Sequence, residues 1–327
     1  MSESKYSATS DEGERSGLPL RRRLKPIVEL RFPHFERHYE LGTAYAYYFE
    51  PRDCRDWYRE LLVRILDAVK SRTYLPVYRL GHGQFILALA GPSGRRLAER
   101  KGWYRNPIDW LLIQLITARQ AFRSGSPEYG WEEYSRSERP AAYESFVRCL
   151  KTISATGLLA PALHKRPSYS GFVPGILDWF DANGIRLDRS NYHHVYSIYA
   201  LMHGPDRKQL IEGRSILIVS GLTDDKRLGI ERGLKRLGAS SVQFLEISQR
   251  KSLFDTVDLS AVRHPVDLAL VGAGVGSANI LVQLQPLSIP CLDVGFVLTT
   301  LGNPDVRWNR PFCVPDDEFD PQRVKFL

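Results

Sequence analysis

Three short stretches of the chain combine residue types suited to holding a phosphorylated ligand. Gly272, Gly274 and Gly276 alternate directly after an apolar run. Glycines in such a place let backbone N–H groups approach a phosphate or ribose at the start of the next helix. Their Gly-x-Gly-x-Gly spacing is not the dinucleotide fingerprint, and the preceding strand is the last but one rather than the first, so hydride transfer is disfavoured. The same glycines equally suit tight turns and close helix packing, and both readings stay open. Asp224, Asp225, Lys226 and Arg227 follow another apolar run that ends in Ser220 and Gly221. The aspartates suit a helix N-terminus through capping and the helix dipole. The two cations oppose that dipole, which points to an anionic partner such as a diphosphate. Asp293, Val294 and Gly295 close a third apolar run and lead into Phe296, Thr299 and Thr300.

Other reactive side chains carry less. His193 and His194 are adjacent within an aromatic stretch expected to be helical, where neighbouring side chains point apart and cannot easily share a metal. The four cysteines, Cys54, Cys149, Cys291 and Cys313, show no metal-ligand spacing. They imply neither a disulfide framework nor a zinc site, and Cys149 and Cys291 read as core thiols.

The elements that must position these residues are visible as periodic patterns. From about residue 206, apolar runs of strand length at 215–220, 242–247, 266–271 and 289–294 alternate with helical patterns. One helix carries Leu228, Ile230, Leu234 and Leu237 and closes at Gly238; shorter ones fall at 253–257 and 277–284. This alternation predicts a parallel sheet with right-handed crossovers, which binds ligands where its strands end. Upstream, a helix from Asp53 to Ser71 presents Trp57, Leu61, Leu62, Ile65, Leu66 and Val69 on one face. A strand at 75–80 runs into Gly81, His82 and Gly83, and Asn106-Pro107 opens a helix over 108–122. Further helices are expected at 139–153, 174–182 and 190–202. The organisation read from these patterns is a disordered tail at 1–17, a mainly helical part at 18–205 that carries the segment 79–84, and a Rossmann-like nucleotide-binding half at 206–327.

The 327 residues are 43% apolar and 25% charged, which excludes a wholly disordered or fibrous chain. Residues 268–292 carry no charge, but their Asn, Gln, Pro and Gly content excludes a membrane span. The polar N-terminus lacks the apolar core of a secretory signal, and a cytoplasmic protein is expected. A net charge of +8 suits anionic partners. Two basic clusters stand out, at Arg21, Arg22, Arg23 and Lys25 and at Arg95, Arg96, Arg100, Lys101 and Arg105. No nucleic-acid-binding motif accompanies them, so nucleic acid is disfavoured as a partner.

Taken together, the motifs resemble the GT-D class of bacterial glycosyltransferases. The run from Ile211 to Gly221 followed by Lys226-Arg227-Leu228-Gly229-Ile230 is similar to that family's strand, Gly and Ser-Arg-Leu-Gly-Val-Gly segment. Asp267 to Gly274, followed by Pro290 to Gly295, resembles its late strand, helix and Leu-Asp-Ile-Gly strand end. Arg79-Leu-Gly81-His82-Gly83-Gln84-Phe85 stands where the family has Arg-x-Gly-Asp-Gly-Glu-Phe. The order of the three motifs agrees, and together they cover most of residues 75–300.

The resemblance implies transfer of a sugar from a nucleotide-sugar donor, UDP-linked in the first instance, to a saccharide or lipid-linked acceptor. It implies Arg79, His82 and Gln84 as catalytic residues, with Gly81, Gly83, Ser220, Gly221, Lys226, Arg227, Gly272, Gly274, Gly276 and Asp293 on the donor. The family's two acidic residues are expected to hold Mg²⁺ or Mn²⁺, since hard oxygen ligands suit those ions. Here His82 and Gln84 replace both, and Phe296 replaces a family histidine. No metal ligand is therefore assigned. A cluster of Arg, Lys and backbone N–H groups can stabilise a leaving diphosphate without one. The alternative is an inactive relative that kept the nucleotide pocket. The basic clusters would suit an acidic acceptor or the inner membrane face.

Overall fold

The computed structural model describes residues 51–81, 83–84, 87–88, 134–135, 137–161, 179–188, 190–193, 197–248 and 250–302. The expected tail at 1–17, both basic clusters, the helix at 108–122 and His82 lie outside them. The described chain forms an α/β fold around one six-stranded, all-parallel, Rossmann-like sheet. Its strands are β1 (Leu75–Leu80), β2 (Leu158–Pro161), β3 (Ser215–Ser220), β4 (Ser241–Glu246), β5 (Leu268–Gly272) and β6 (Pro290–Asp293). Across the sheet they run β2-β1-β6-β5-β3-β4, so strands from both sides of residue 206 share one sheet.

The helices are α1 (Pro51–Ser71), α2 (Arg139–Thr156), α3 (Ser197–His203), α4 (Arg207–Ile211), α5 (Asp224–Arg236), α6 (Ser277–Gln283) and α7 (Val297–Thr300). β3 is buried along its whole length and β5 over its first four residues. Strands covered on both faces read as continuous apolar runs, which is why both were visible in the sequence. Helices α2 and α6 pack together on one face, and α5 packs against α7 on the other. His203 at the end of α3 joins that second layer through a 2.6 Å contact between Nε2 and Thr300 Oγ1. Helix α1 lies against β6 and its Arg64 donates to Ser190 O at 2.9 Å.

Two expectations differ from the structure. Of the helix expected at 190–202, Ser197 to Met202 are helical and 190–193 are not, because Tyr192 pairs with Leu159 as a parallel bridge that extends the edge beyond β2. His193 therefore stands beside that bridge, its N–H donating to Leu159 O at 3.1 Å, and is not helical. The short helix expected at 253–257 is a single 3₁₀ turn at Ser252–Phe254. Cys149 and Cys291 are free and buried, and burial pushes both thiols above their ordinary pKa, as expected of core residues.

An exposed tie fastens the segment before α2 to the turn after β4. Lys251 Nζ donates to both carboxylate oxygens of Glu138, at 2.8 and 3.0 Å, and Ser135 N donates to Glu138 Oε2 at 2.8 Å. The Lys251 bond and then the Ser135 bonds hold the Glu138 carboxyl down at about 2. A depressed carboxyl contributes stability that is present above its unfolded pKa and lost as pH falls toward the folded one. Lys251→Ala is expected to return the Glu138 titration toward the ordinary Glu range, as followed by side-chain carboxyl NMR.

Candidate functional site at the carboxyl edge of the sheet

The sequence-selected residues that the structure describes fall along one border of the sheet, where all six strands end. Strand order reverses at β3, which has β4 on one side and β5 on the other, so this border carries a topological switch point. In register, Glu246 of β4, Ser220 of β3 and Gly272 of β5 form one row, with Asp293 of β6 opposite Val271.

At the β1/β6 end, Arg79 and Asp293 form a buried knot. Arg79 N donates to Asp293 Oδ2 at 3.3 Å, and Arg79 Nε donates to Asp293 O at 2.8 Å. The same Nε lies 3.9 Å from Oδ2, and the two side chains are only 11% and 3% exposed. The guanidinium also lies 5.5 Å from the centre of the Tyr199 ring, a cation–π distance. Tyr199 in turn meets Phe296 edge to face at 5.7 Å. Gly295 makes the knot possible: its φ is +52°, and a Cβ there would come within 2.1 Å of Arg79 Nη2. Burial pushes the Asp293 carboxyl above its ordinary pKa, opposed by the Arg79 guanidinium, the Ser277 hydroxyl and the Arg79 and Gly295 amides.

Between β1 and β5 the border is closed by a side-chain bridge. Gln84 Oε1 accepts from Gly81 N at 3.1 Å, and Gln84 Nε2 donates to Gly274 O at 3.4 Å. Gly83 is buried beside it. The three alternating glycines of the β5 turn have three different surroundings. A Cβ on Gly272 would lie 2.9 Å from Leu298 Cδ2, and one on Gly276 would lie 2.5 Å from the carbonyl carbon of Ser252. Both are close-packing positions inside the protein. A Cβ on Gly274, at φ +56°, would meet nothing within 4 Å, so this is where the turn faces open space. Ala273 N donates to Ser277 Oγ at 3.2 Å and Ser252 Oγ donates to Ala273 O at 2.8 Å, which fixes the turn from both sides.

At the β3/β4 end, Ser220 is 1% exposed and its Oγ has no hydrogen-bond partner among the described residues. Gly221 follows, half-buried, and α5 begins three residues later with Thr223 at its N-cap. Lys226 is exposed and makes no ion pair among the described residues. Arg227 is turned back onto the sheet, with Nη2 3.0 Å from Glu246 Oε2 and Nη1 3.6 Å from Asp224 Oδ1. Three strand spacings of about 4.8 Å each separate β1 from β3, so the two ends are roughly 14 Å apart.

Arg79, Lys226 and Arg227, grouped by the sequence reading around one diphosphate, thus occupy two stations on one border. Each arginine already faces a carboxylate of its own. Sequence reasoning missed those partners, Glu246 for Arg227 and Tyr199 and Ser277 around the Arg79–Asp293 knot. Only Gly295 carried a visible signal, as the glycine that closes the Asp-Val-Gly strand end.

Among the described residues no three His, Cys, Asp or Glu side chains converge as a metal site. Gln84 has both ends of its amide hydrogen-bonded within the protein. No helix among the described residues is long and apolar enough to cross a membrane. No known family model, curated protein or solved structure matches this chain.

Proposed function

We propose that the chain transfers a sugar from a nucleotide-sugar donor, UDP-linked in the first instance, to a saccharide or lipid-linked acceptor. One observation carries the reading: Gly81, Gln84, Gly274, Ser220 and Lys226, drawn from three separate motifs, lie on the single carboxyl border that a doubly wound sheet uses for ligands. In this reading the diphosphate lies along the open Gly274 turn toward the start of α5, a thirteen-residue helix whose first N–H groups favour an anion. The Ser220 hydroxyl supplies a donor with no competing partner among the described residues, and Lys226 supplies positive charge. These groups would stabilise the charge that builds on the leaving diphosphate as the glycosidic bond breaks. Arg79 acts through Asp293, holding the Gly295 turn that carries Phe296. Mg²⁺ or Mn²⁺, implied by the resemblance, finds no carboxylate pair at Gln84, and no step is routed through a metal.

A second reading, nucleotide binding without turnover, is favoured by the internal neutralisation of Arg79 by Asp293 and of Arg227 by Glu246. A panel of nucleotide sugars with Mn²⁺ or with EDTA tests both. A donor at a hundredfold excess over its Kd is expected to stabilise the protein by about 2.7 kcal/mol. Lys226→Gln is expected to weaken that binding about tenfold by removing a charge-assisted contact. Release of free sugar or a glycosylated product identifies the enzyme, and a thermal shift without product identifies the binder. Absence of a shift with every UDP-sugar would sink the donor assignment.

A further inference from the structure

At the opposite border of the sheet, where β1, β5 and β6 begin, lies a cavity of about 280 Å³. Its polar lining is basic: Arg72, Arg263 and His264. Leu259, Val262 and Leu287 supply apolar wall. Five residues of β5 at about 3.3 Å each set it roughly 17 Å from the carboxyl border, so it is separate from the site above.

Three features mark it as a built site. Arg72 holds φ +50°, a left-handed conformation rare for a non-glycine residue and costly by about 1 kcal/mol. In that conformation its guanidinium donates to Asp267 Oδ1 and to Val266 O, both at 3.2 Å, at the cavity wall. The loop carrying the other two basic residues is clamped by one side chain. Gln243 Oε1 accepts from Arg263 N at 3.0 Å and His264 N at 3.4 Å, and Gln243 Nε2 donates to His264 O at 3.0 Å. Finally, the carboxylate that meets Arg72 is already engaged, since Asp267 Oδ2 accepts from Ser215 N at 2.9 Å while Oδ1 pairs with Arg72. Arg263 makes no ion pair among the described residues, so the cavity keeps unneutralised positive charge over an apolar wall.

We infer that this cavity binds a small organic anion with one charged head, carboxylate or phosphate, on a short apolar body. Ligand cavities run from about 300 Å³ upward, which limits the occupant to a small molecule rather than a nucleotide or an extended chain. The head meets Arg263 and the outer edge of Arg72, and the body lies on Val262 and Leu287.

Titration calorimetry on the full-length protein tests this with hexyl phosphate, hexanoate, inorganic phosphate and hexanol. Saturable binding of hexyl phosphate or hexanoate is expected, at least about tenfold tighter than either inorganic phosphate or hexanol, and the stronger of the two names the head group. Arg263→Gln, at an exposed position, and Val262→Phe, which fills the cavity, are each expected to weaken binding about tenfold or more. Absence of saturable binding by both amphiphilic probes, or binding unchanged in both variants, would overturn the inference. The readout does not involve nucleotide sugars, so it stands or fails apart from the transferase reading.

Discussion

Arg79→Met is expected to destabilise the protein by about 3–5 kcal/mol at pH 8, the usual effect of removing one partner from a buried ion pair. It leaves Asp293, 2% exposed, without its guanidinium. The loss should shrink in acid. Burial already raises the Asp293 carboxyl in the folded protein, and removing Arg79 raises it further. A carboxyl whose folded pKa lies above its unfolded value favours the folded state only when protonated. Stability of the variant therefore falls as pH rises from the unfolded value up to the folded one, by about 1.4 kcal/mol per pH unit, and is flat above it. Urea unfolding at pH 5 and pH 8 should show the larger deficit at pH 8. Adding Asp293→Asn should remove that pH dependence by removing the charge. An equal deficit at both pH values would mean that Arg79 acts through its packing on Tyr199 instead.

The second large effect is expected at a glycine that no functional argument selects. Gly233→Ala is expected to cost about 2–3 kcal/mol, although alanine in a helix interior normally gains about 1 kcal/mol over glycine. A Cβ on Gly233 would stand 1.8 Å from Leu301 O and 2.8 Å from Leu301 C, so backbone rather than a flexible side-chain end must move. Gly229, one turn earlier on α5, is the control. Its Cβ would meet only Gly302 Cα at 4.0 Å, so Gly229→Ala should be neutral or stabilising by up to about 1 kcal/mol. Thermal unfolding of the two variants separates them. Since Gly233 sets the distance between α5 and the end of α7, its substitution should also disturb the Gly295–Phe296 turn and weaken any ligand held at the carboxyl border.

The parts of the fold legible in the sequence are those whose local pattern and tertiary environment agree. Ser215–Ser220 is six residues buried on both faces, and the run announces itself. Leu75–Leu80 is equally plain. Leu158–Pro161 escaped notice because four residues following an apolar helix carry no period of their own, and its strand character comes from pairing with β1. The aromatic stretch from Tyr192 mimics a helical face, but pairing of Tyr192 with Leu159 draws its first residues to the sheet edge. At the site, the glycines were legible as positions and not as roles. Gly272 and Gly276 back onto Leu298 and Ser252, segments far away in sequence, while Gly274 alone faces open space.

By itself the sequence determined that strands and helices alternate into a parallel sheet, and that small and charged residues gather where those strands end. Burial period and turn chemistry are local, so they can be read along the chain. Tertiary structure decided which charges meet. Arg79 and Asp293 lie 214 residues apart yet share a hydrogen bond, because β1 inserts between β2 and the last strand, β6. Arg227 turns to Glu246 because β4 closes the other edge. Strand order is fixed by how helices pack over both faces of the whole sheet, and no single segment contains that information.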